Sequence, residues 1–502
     1  MAGMLMIFIL ALEVGWMLGH DIVTLPIVLL ALPLMLLATL VRPALGLIMY
    51  SAYYFIVPIL PKSGYSTETY MVGLNVQTIA MGAFLAAWFI RQIMTKQSWE
   101  PLNRYGKLLL IWTILMAIGG LRLVYSRYVT GVMTGEAMNS LYFARELLTI
   151  PILSLVAYQT KFTRRELTWL IGILTAIISA AFIANIWSIA EHDFKASIEL
   201  RLLLRHTNAF TTAMTVSIFT IAMAMVTSMR SFGVKLIWSI VAAVAFVPLV
   251  YTLSRSNYLA VALSMIVLTF MNVGGRRRNK AIAIVILLLI GLMAWYLLPH
   301  FVEERIIYTF IDEAGHQRLD YSVAIRFKFL ELFPFVVSKS PYTLFYGGGA
   351  MFSPSIVRAH LGRGFVLHNL WLTTIVEYGT PALVVLVMLM VEQFRTFIAL
   401  ASKGWSQFGR SFAVGLAVSL IAAQINYVTH VTAIVGSTTM FIWLFAAIIA
   451  GNREHSDLFV DDEVTEEIPV GDSTSPPINT GEIIPAGEHG PGTRIGTKVP
   501  QI

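Results

Sequence analysis

Three residues of this chain stand where ionisable groups are scarce. Arg255 lies in Thr252-Leu253-Ser254-Arg255-Ser256-Asn257, at a turn between two apolar runs. Arg326 lies in Tyr321–Val337, which reads YSVAIRFKFLELFPFVV. His368 opens His368-Asn369-Leu370-Trp371-Leu372, immediately before another apolar run. An arginine offers a planar fork that grips phosphate oxygens in pairs. A neutral imidazole, with an unperturbed pKa of ~6.5, can take a proton from a hydroxyl. Together they make an anion grip and a base. A plainer account of each also stands: the arginines snorkel to lipid phosphate, and the histidine anchors a helix end at the headgroups.

The elements that must position them follow from composition. The chain has 502 residues, of which 57% are hydrophobic and 13% charged. Soluble domains carry roughly 25% charged residues, so an ordinary soluble enzyme, a disordered chain and a collagen-like fibre are excluded. There is no cysteine, hence no disulfide, thiolate metal site or cysteine nucleophile. Apolar runs fall at approximately 4–19, 22–41, 43–60, 75–94, 107–124, 143–160, 167–190, 207–228, 236–253, 256–273, 281–298, 367–394, 411–430 and 433–451. Each approaches the roughly 20 residues a helix needs to cross a bilayer. None alternates as a barrel strand would. The expected fold class is an all-α polytopic membrane protein with about 12–14 transmembrane helices.

Lysine and arginine set the orientation. Arg42; Arg91, Lys96, Arg104 and Lys107; Lys161, Arg164 and Arg165; Arg230 and Lys235; Arg276, Arg277 and Arg278; and Arg395, Lys403 and Arg410 all fall on one side if both termini are cytoplasmic. The first basic residue is Arg42, so the N-terminus lacks the basic region of a cleavable signal and its first span is expected to stay in the membrane. Residues 453–502 differ in kind. They hold ten acidic residues against Arg453, Arg494 and Lys498, with six Pro and six Gly, a net charge of −7. Such a segment is expected to be disordered, either as a solubilising terminus or as a partner-docking segment. The overall charge of +7 therefore conceals +14 on the membrane part. No basic block points to nucleic acid.

On the outer side, residues 125–142 and 191–206 form modest loops, and residues 299–366 form a long one. A long ordered loop in a compact protein is more often functional than idle. In Tyr321–Val337, Val323, Phe327, Leu330 and Pro334 share one helical face, predicting a short helix in the interface with its apolar side toward lipid or bundle. Tyr346-Gly347-Gly348-Gly349-Ala350 follows, allowing a close turn or a backbone approach to a ligand. It lacks the lysine and helix opening of a phosphate-binding P-loop. Glu13, Arg145, Glu146, Glu377 and Glu392 lie in or near apolar runs and are expected at helix ends or in interhelical pairs. Two outward arginines and a histidine suit a lipid carrying a diphosphate-linked glycan. No acidic cluster on that side has metal-ligand spacing, so the arginines would replace a divalent cation. No cofactor is expected.

These residues resemble the O-antigen ligases and the related polysaccharide polymerases. That family carries a His-Asn/Ser/Gln, nine residues, Gly, two residues, Gly/Thr/Tyr pattern entering a late membrane helix. Here His368-Asn369 is followed after nine residues by Gly379-Thr380-Pro381-Ala382, which departs from the pattern at its last position. The family's Ser-Arg turn between two spans is matched by Ser254-Arg255, its outer-loop arginine by Arg326, and its glycine-rich turn by Gly347, Gly348 and Gly349. Arg205-His206-Thr207-Asn208 is similar to an Arg/Asn motif before an earlier helix. The ordered set covers about 236–394. The resemblance implies a metal-independent glycosyltransferase of GT-C-like architecture in the inner membrane. His368 would be the base, Arg255 and Arg326 would bind the donor diphosphate, and Arg205, Asn369, Gly347, Gly348, Gly349 and Gly379 would be supporting positions. The donor would be an undecaprenyl-diphosphate-linked glycan. The acceptor would be lipid A–core for a ligase or another lipid-linked repeat for a polymerase. It also implies four regions: helices in 1–235, the ligase-related core 236–394 with its outer loop 299–366, helices in 395–452 and the tail 453–502.

A transporter is the rival from another class. Transporters commonly show repeated halves with interrupted helices at mid-depth, and no repeat is evident between 1–230 and 231–452. A scaffold for polysaccharide-assembly partners, recruited through the acidic tail, would leave Arg255, Arg326 and His368 unexplained as a set.

Overall fold

A computed structural model describes residues 24–56, 76–96, 99–129, 135–191, 211–251, 254–271, 328, 330–339, 341–350, 352–361, 369–404, 406–429, 437–453 and 458. Of the described residues 89% are helical, and none lies in a strand. The helices are α1 (Thr24–Val41), α2 (Pro43–Ile56), α3 (Val76–Thr95), α4 (Arg104–Val129), α5 (Gly135–Gln159), α6 (Arg164–Glu191), α7 (Thr211–Ser228) and α8 (Phe232–Tyr251). There follow α9 (Arg255–Phe270), α10 (Leu332–Lys339), α11 (Tyr342–Tyr346), α12 (Ser353–Leu361), α13 (Leu370–Tyr378), α14 (Thr380–Lys403), α15 (Gln407–Thr429) and α16 (Ser437–Gly451). The chain divides into two units, Met1–Asp461 and Asp462–Ile502, and all described residues belong to the first. The acidic tail beyond Asp461 and the expected spans 4–19 and 281–298 lie outside the described residues.

Among the described residues five helices are long and apolar enough to cross a membrane: Arg104–Tyr125 in α4, Arg164–Trp187 in α6, α8, α14 and Gln407–Tyr427 in α15. In hydrocarbon a chain must satisfy its own amides, which is why such runs are helical. Helix α15 is the hub, with 72% of its apolar window buried against 39–44% for the other four. Small residues let backbones meet there. A Cβ added to Gly415 would come within 2.8 Å of the Ile221 Cα in α7. Ser419 donates its hydroxyl to the Ser217 carbonyl at 3.1 Å, and Thr220 donates to Ser264 of α9 at 3.2 Å. Leu458 is fully buried in the same core, so packing continues past the tail boundary expected at 453.

Of the basic segments expected on one side, the described ones share one end of the bundle, while Arg276, Arg277 and Arg278 lie outside the described residues. Arg42 binds both carboxylate oxygens of Glu166, with Nη2 to Oε2 at 2.9 Å. This pairing raises the Arg42 guanidinium above its ordinary pKa. Glu166 also closes a capping box: it accepts from the Thr163 amide at 2.8 Å, and its own amide donates back to the Thr163 hydroxyl at 3.3 Å. Lys161 pairs with Glu100 at 2.8 Å, and Asn452 bridges from the Phe162 amide to the Thr160 carbonyl. Glu392 lies between Arg104 at 3.1 Å and Arg395 at 2.8 Å, the interhelical pairing expected of it. Gln407 donates to the Ser228 carbonyl.

One expected span is interrupted. The apolar run 367–394 breaks at Gly379, whose φ of 87° ends α13 and lets α14 start in a new direction. Hydropathy cannot register such a break, because apolar residues continue on both sides of the glycine.

Candidate functional site

At the opposite end of the bundle, the glycine turn is locked onto α13 by backbone bonds. The Gly348 amide donates to the Val376 carbonyl and the Gly349 amide to the Glu377 carbonyl, both at 2.9 Å. The Gly347 amide donates to Thr343 at 2.8 Å, and that of Ala350 donates to Gly119 of α4 at 3.2 Å. Of the two uses open to these glycines, the structure displays the close turn: their amides serve backbone packing. Only glycine fits. At Gly347, φ is 67° and a Cβ would lie 2.2 Å from the Glu377 carbonyl oxygen. At Gly379 a Cβ would lie 2.3 Å from the Phe345 carbonyl oxygen. The Thr380 hydroxyl donates to the Leu344 carbonyl at 2.7 Å, tying α11 to the head of α14.

Helix α13 starts on Asn369, whose Oδ1 accepts the Leu372 amide at 3.0 Å in an extended N-cap conformation. Its other end is held by Glu377. This side chain is buried and accepts the Ser353 hydroxyl at 2.5 Å and the Ser353 amide at 3.4 Å. The carboxylate thus meets the positive end of α12, which favours its charge. Leu372 and Val376 pack with Leu332, Val336, Ile356 and Val357, so the loop helices α10 and α12 rest on α13. The helix is thus held at both ends and along its Leu372–Val376 row.

His368, Arg326 and Arg205 lie outside the described residues. Arg255 is described by its backbone: it is the first residue of α9, following Ser254 at the N-cap. The α8–α9 turn is closed by the Tyr258 hydroxyl donating to the Val250 carbonyl at 2.6 Å. Because α8 rises from the end that holds Ser228 and Gln407, this turn lies at the end that holds the glycine turn. Helices α9 and α13 both pack on α15. The elements that carry Arg255 and directly follow His368-Asn369 therefore share one supporting helix.

Two participants escaped the sequence reading. Arg122 of α4 donates from Nη1 to the Tyr346 carbonyl and to the Gly347 carbonyl, the latter at 3.1 Å. It follows Arg104 by 18 residues, about 27 Å along a helix, so it is a cation at the far end from the basic loops. That exception to the charge pattern was the available signal. Gly119 is the second: a Cβ there would lie 2.3 Å from the Tyr378 ring, so its absence seats Tyr378 against α4. The segment Gly119-Gly120-Leu121-Arg122 forms the seat for the glycine turn.

Among the described residues no group of three or more His, Cys, Asp or Glu is placed to hold a metal ion. The chain matches no model of a known protein family, and no curated protein is significantly similar to it.

Proposed function

We propose that this protein is an O-antigen ligase-like glycosyltransferase of the inner membrane, with a GT-C-like bundle of about 12–14 helices and both termini cytoplasmic. It would transfer a glycan from an undecaprenyl-diphosphate carrier to an acceptor hydroxyl at the outer face. One observation carries the reading. The glycine turn, the helix that follows His368-Asn369, and Gly379 form one hydrogen-bonded unit, at the end of the bundle where α9 begins with Arg255. Those are pieces that the resemblance puts in one motif set, and they are far apart in sequence.

In this mechanism His368 takes the proton of the acceptor hydroxyl as its oxygen bonds to the anomeric carbon. The bond from that carbon to the diphosphate breaks, and undecaprenyl diphosphate leaves with the electron pair. Arg255 and Arg326 bind the diphosphate and stabilise the charge that grows on it. No divalent cation takes part. The test is transfer from purified lipid-linked glycan by the purified protein, with and without EDTA. His368→Ala should abolish transfer, and EDTA should leave it intact. Full activity in His368→Ala would falsify the base assignment. Offering lipid A–core and lipid-linked repeats separately distinguishes a ligase from a polymerase.

A further inference from the structure

The two short helices above the glycine turn carry exposed apolar side chains. Along α10, Leu332 and Val336 are buried against α12 and α13, whereas Phe333 and Val337 on the adjacent row are 44% and 40% exposed. Leu330, just before α10, is 58% exposed. On α11, Thr343 is buried while Tyr342, Phe345 and Tyr346 are 75%, 65% and 67% exposed. Helices α10 and α11 pack on each other. Five large apolar or aromatic side chains on two touching helices of the outer loop, with Leu330 just before them, thus make a concentration that water disfavours.

The depth of this face is set by covalent and hydrogen-bonded neighbours. The Leu344 carbonyl accepts the Thr380 hydroxyl, and the Phe345 carbonyl lies so close to Gly379 that no Cβ fits between them. Thr380 is also where the apolar run of α14 begins, a 24-residue helix long enough to cross the bilayer. Its own exposed apolar row, Val384, Val387 and Val391, starts one turn further along. Helix α11 is therefore held at the level where a membrane span emerges. Aromatic side chains, tyrosine above all, concentrate at that level because the ring prefers the acyl boundary and the hydroxyl prefers water.

We propose that the exposed face of α10 and α11 is a membrane-insertion surface, with Phe333, Val337 and Phe345 dipping into the outer leaflet. It is the occupied-by-lipid side of the interfacial helix; the Leu332–Val336 row is the side that grips the bundle. The loop is then moored at two heights, by the glycine turn to α4 and α13 and by its aromatic face to lipid. A diphosphate at the headgroups would meet the loop at a fixed depth. The proposal rests on the membrane setting and not on the reaction.

The absence of cysteine makes the test direct, because each introduced cysteine carries a unique nitroxide label. Phe333→Cys, Val337→Cys and Phe345→Cys are prepared in the full-length protein in phospholipid nanodiscs. Val387→Cys serves as the lipid reference and Arg358→Cys, exposed on α12, as the aqueous one. Collision with oxygen reports lipid, and collision with a water-soluble nickel chelate reports water. The expected result is a shift of Phe333→Cys and Phe345→Cys to the oxygen-accessible side, with Val387→Cys and opposite to Arg358→Cys. Val337→Cys provides the same reading should either aromatic replacement fail to fold. Nickel accessibility matching Arg358→Cys would overturn the proposal, and so would shielding from both reagents, the mark of a protein partner or a second copy. A water-like signal at Val387→Cys would remove the membrane setting together with the proposal.

Discussion

The amide of Gly349 donates to the carbonyl of Glu377 at 2.9 Å, joining two segments that the chain separates by 27 intervening residues. That bond and its neighbour from Gly348 to Val376 take up carbonyls that the last turn of a helix leaves without partners. The end of α13 is thereby capped by another segment's backbone, and the position of α13 depends on the glycine turn.

Substitution of these glycines separates docking from mere helix content. Gly347→Ala and Gly379→Ala place a Cβ within 2.2 Å and 2.3 Å of carbonyl oxygens, at φ values of 67° and 87°. Each should cost at least about 1–3 kcal/mol from the strained backbone alone and free the loop for proteolysis. Gly82→Ala and Gly172→Ala meet nothing within 4 Å and sit inside helices, so they should be neutral or stabilising by up to about 1 kcal/mol. Thermal unfolding in detergent, paired with limited proteolysis, checks both halves.

Tyr378 offers a test of wedge against chemistry. Its ring fills the space left by Gly119, and its buried hydroxyl has no hydrogen-bond partner among the described residues. Removing an unsatisfied hydroxyl while keeping the shape is close to neutral or favourable. Tyr378→Phe should therefore keep stability and the proposed transfer activity, whereas Tyr378→Ala should lose about 3–5 kcal/mol by leaving a cavity. A large activity loss in Tyr378→Phe at unchanged melting temperature would give the hydroxyl a chemical role.

Ser353 and Glu377 couple the loop to the same helix. Ser353→Ala removes a 2.5 Å donor from a carboxylate that is only 4% exposed. A buried acceptor deprived of a donor costs about 1–3 kcal/mol. The melting temperature should fall, and Ser353→Thr, which keeps the hydroxyl, should recover part of the loss. Equal melting of Ser353→Ala and wild type would mean that other donors already satisfy Glu377.

How far the molecule was legible in its sequence varies with the physics involved. Apolar runs near twenty residues are readable because lipid leaves a chain few alternatives: α4, α6, α8 and α15 lie where those runs fall, and α14 takes the second half of the run 367–394 and continues to Lys403. The end holding Arg42, Lys161 and Arg395 was readable from charge alone. The break at Gly379 was not, since its cause is a backbone angle set by the nearby Phe345 carbonyl. Glu377 was readable as a paired helix-end residue, but its partner Ser353 belongs to a loop helix that no periodicity links to α13. Arg122 was hidden by Leu121 and Leu123, which make it look like the interior of a span. Tertiary contacts of single side chains leave little trace in local pattern.

Arg122 supplies the last prediction, because its geometry specifies what a substitute must do. Its Nη1 reaches two successive carbonyls, Tyr346 and Gly347, from a helix on the other side of the glycine turn. Lysine keeps the charge and can donate to a carbonyl, but it lacks the planar guanidinium. If the proposed transfer holds and Arg122 positions the turn, and through it α13 and the segment bearing His368, Arg122→Ala should lower kcat about 10-fold to 100-fold, the order expected of a misplaced catalytic group. KM for the lipid-linked donor should change little, and Arg122→Lys should recover part of kcat. A rise in KM with kcat intact would instead assign Arg122 to the donor's phosphates. If Arg122→Ala changes neither constant, the turn holds its place without the arginine, through the Gly348, Gly349 and Ala350 amides.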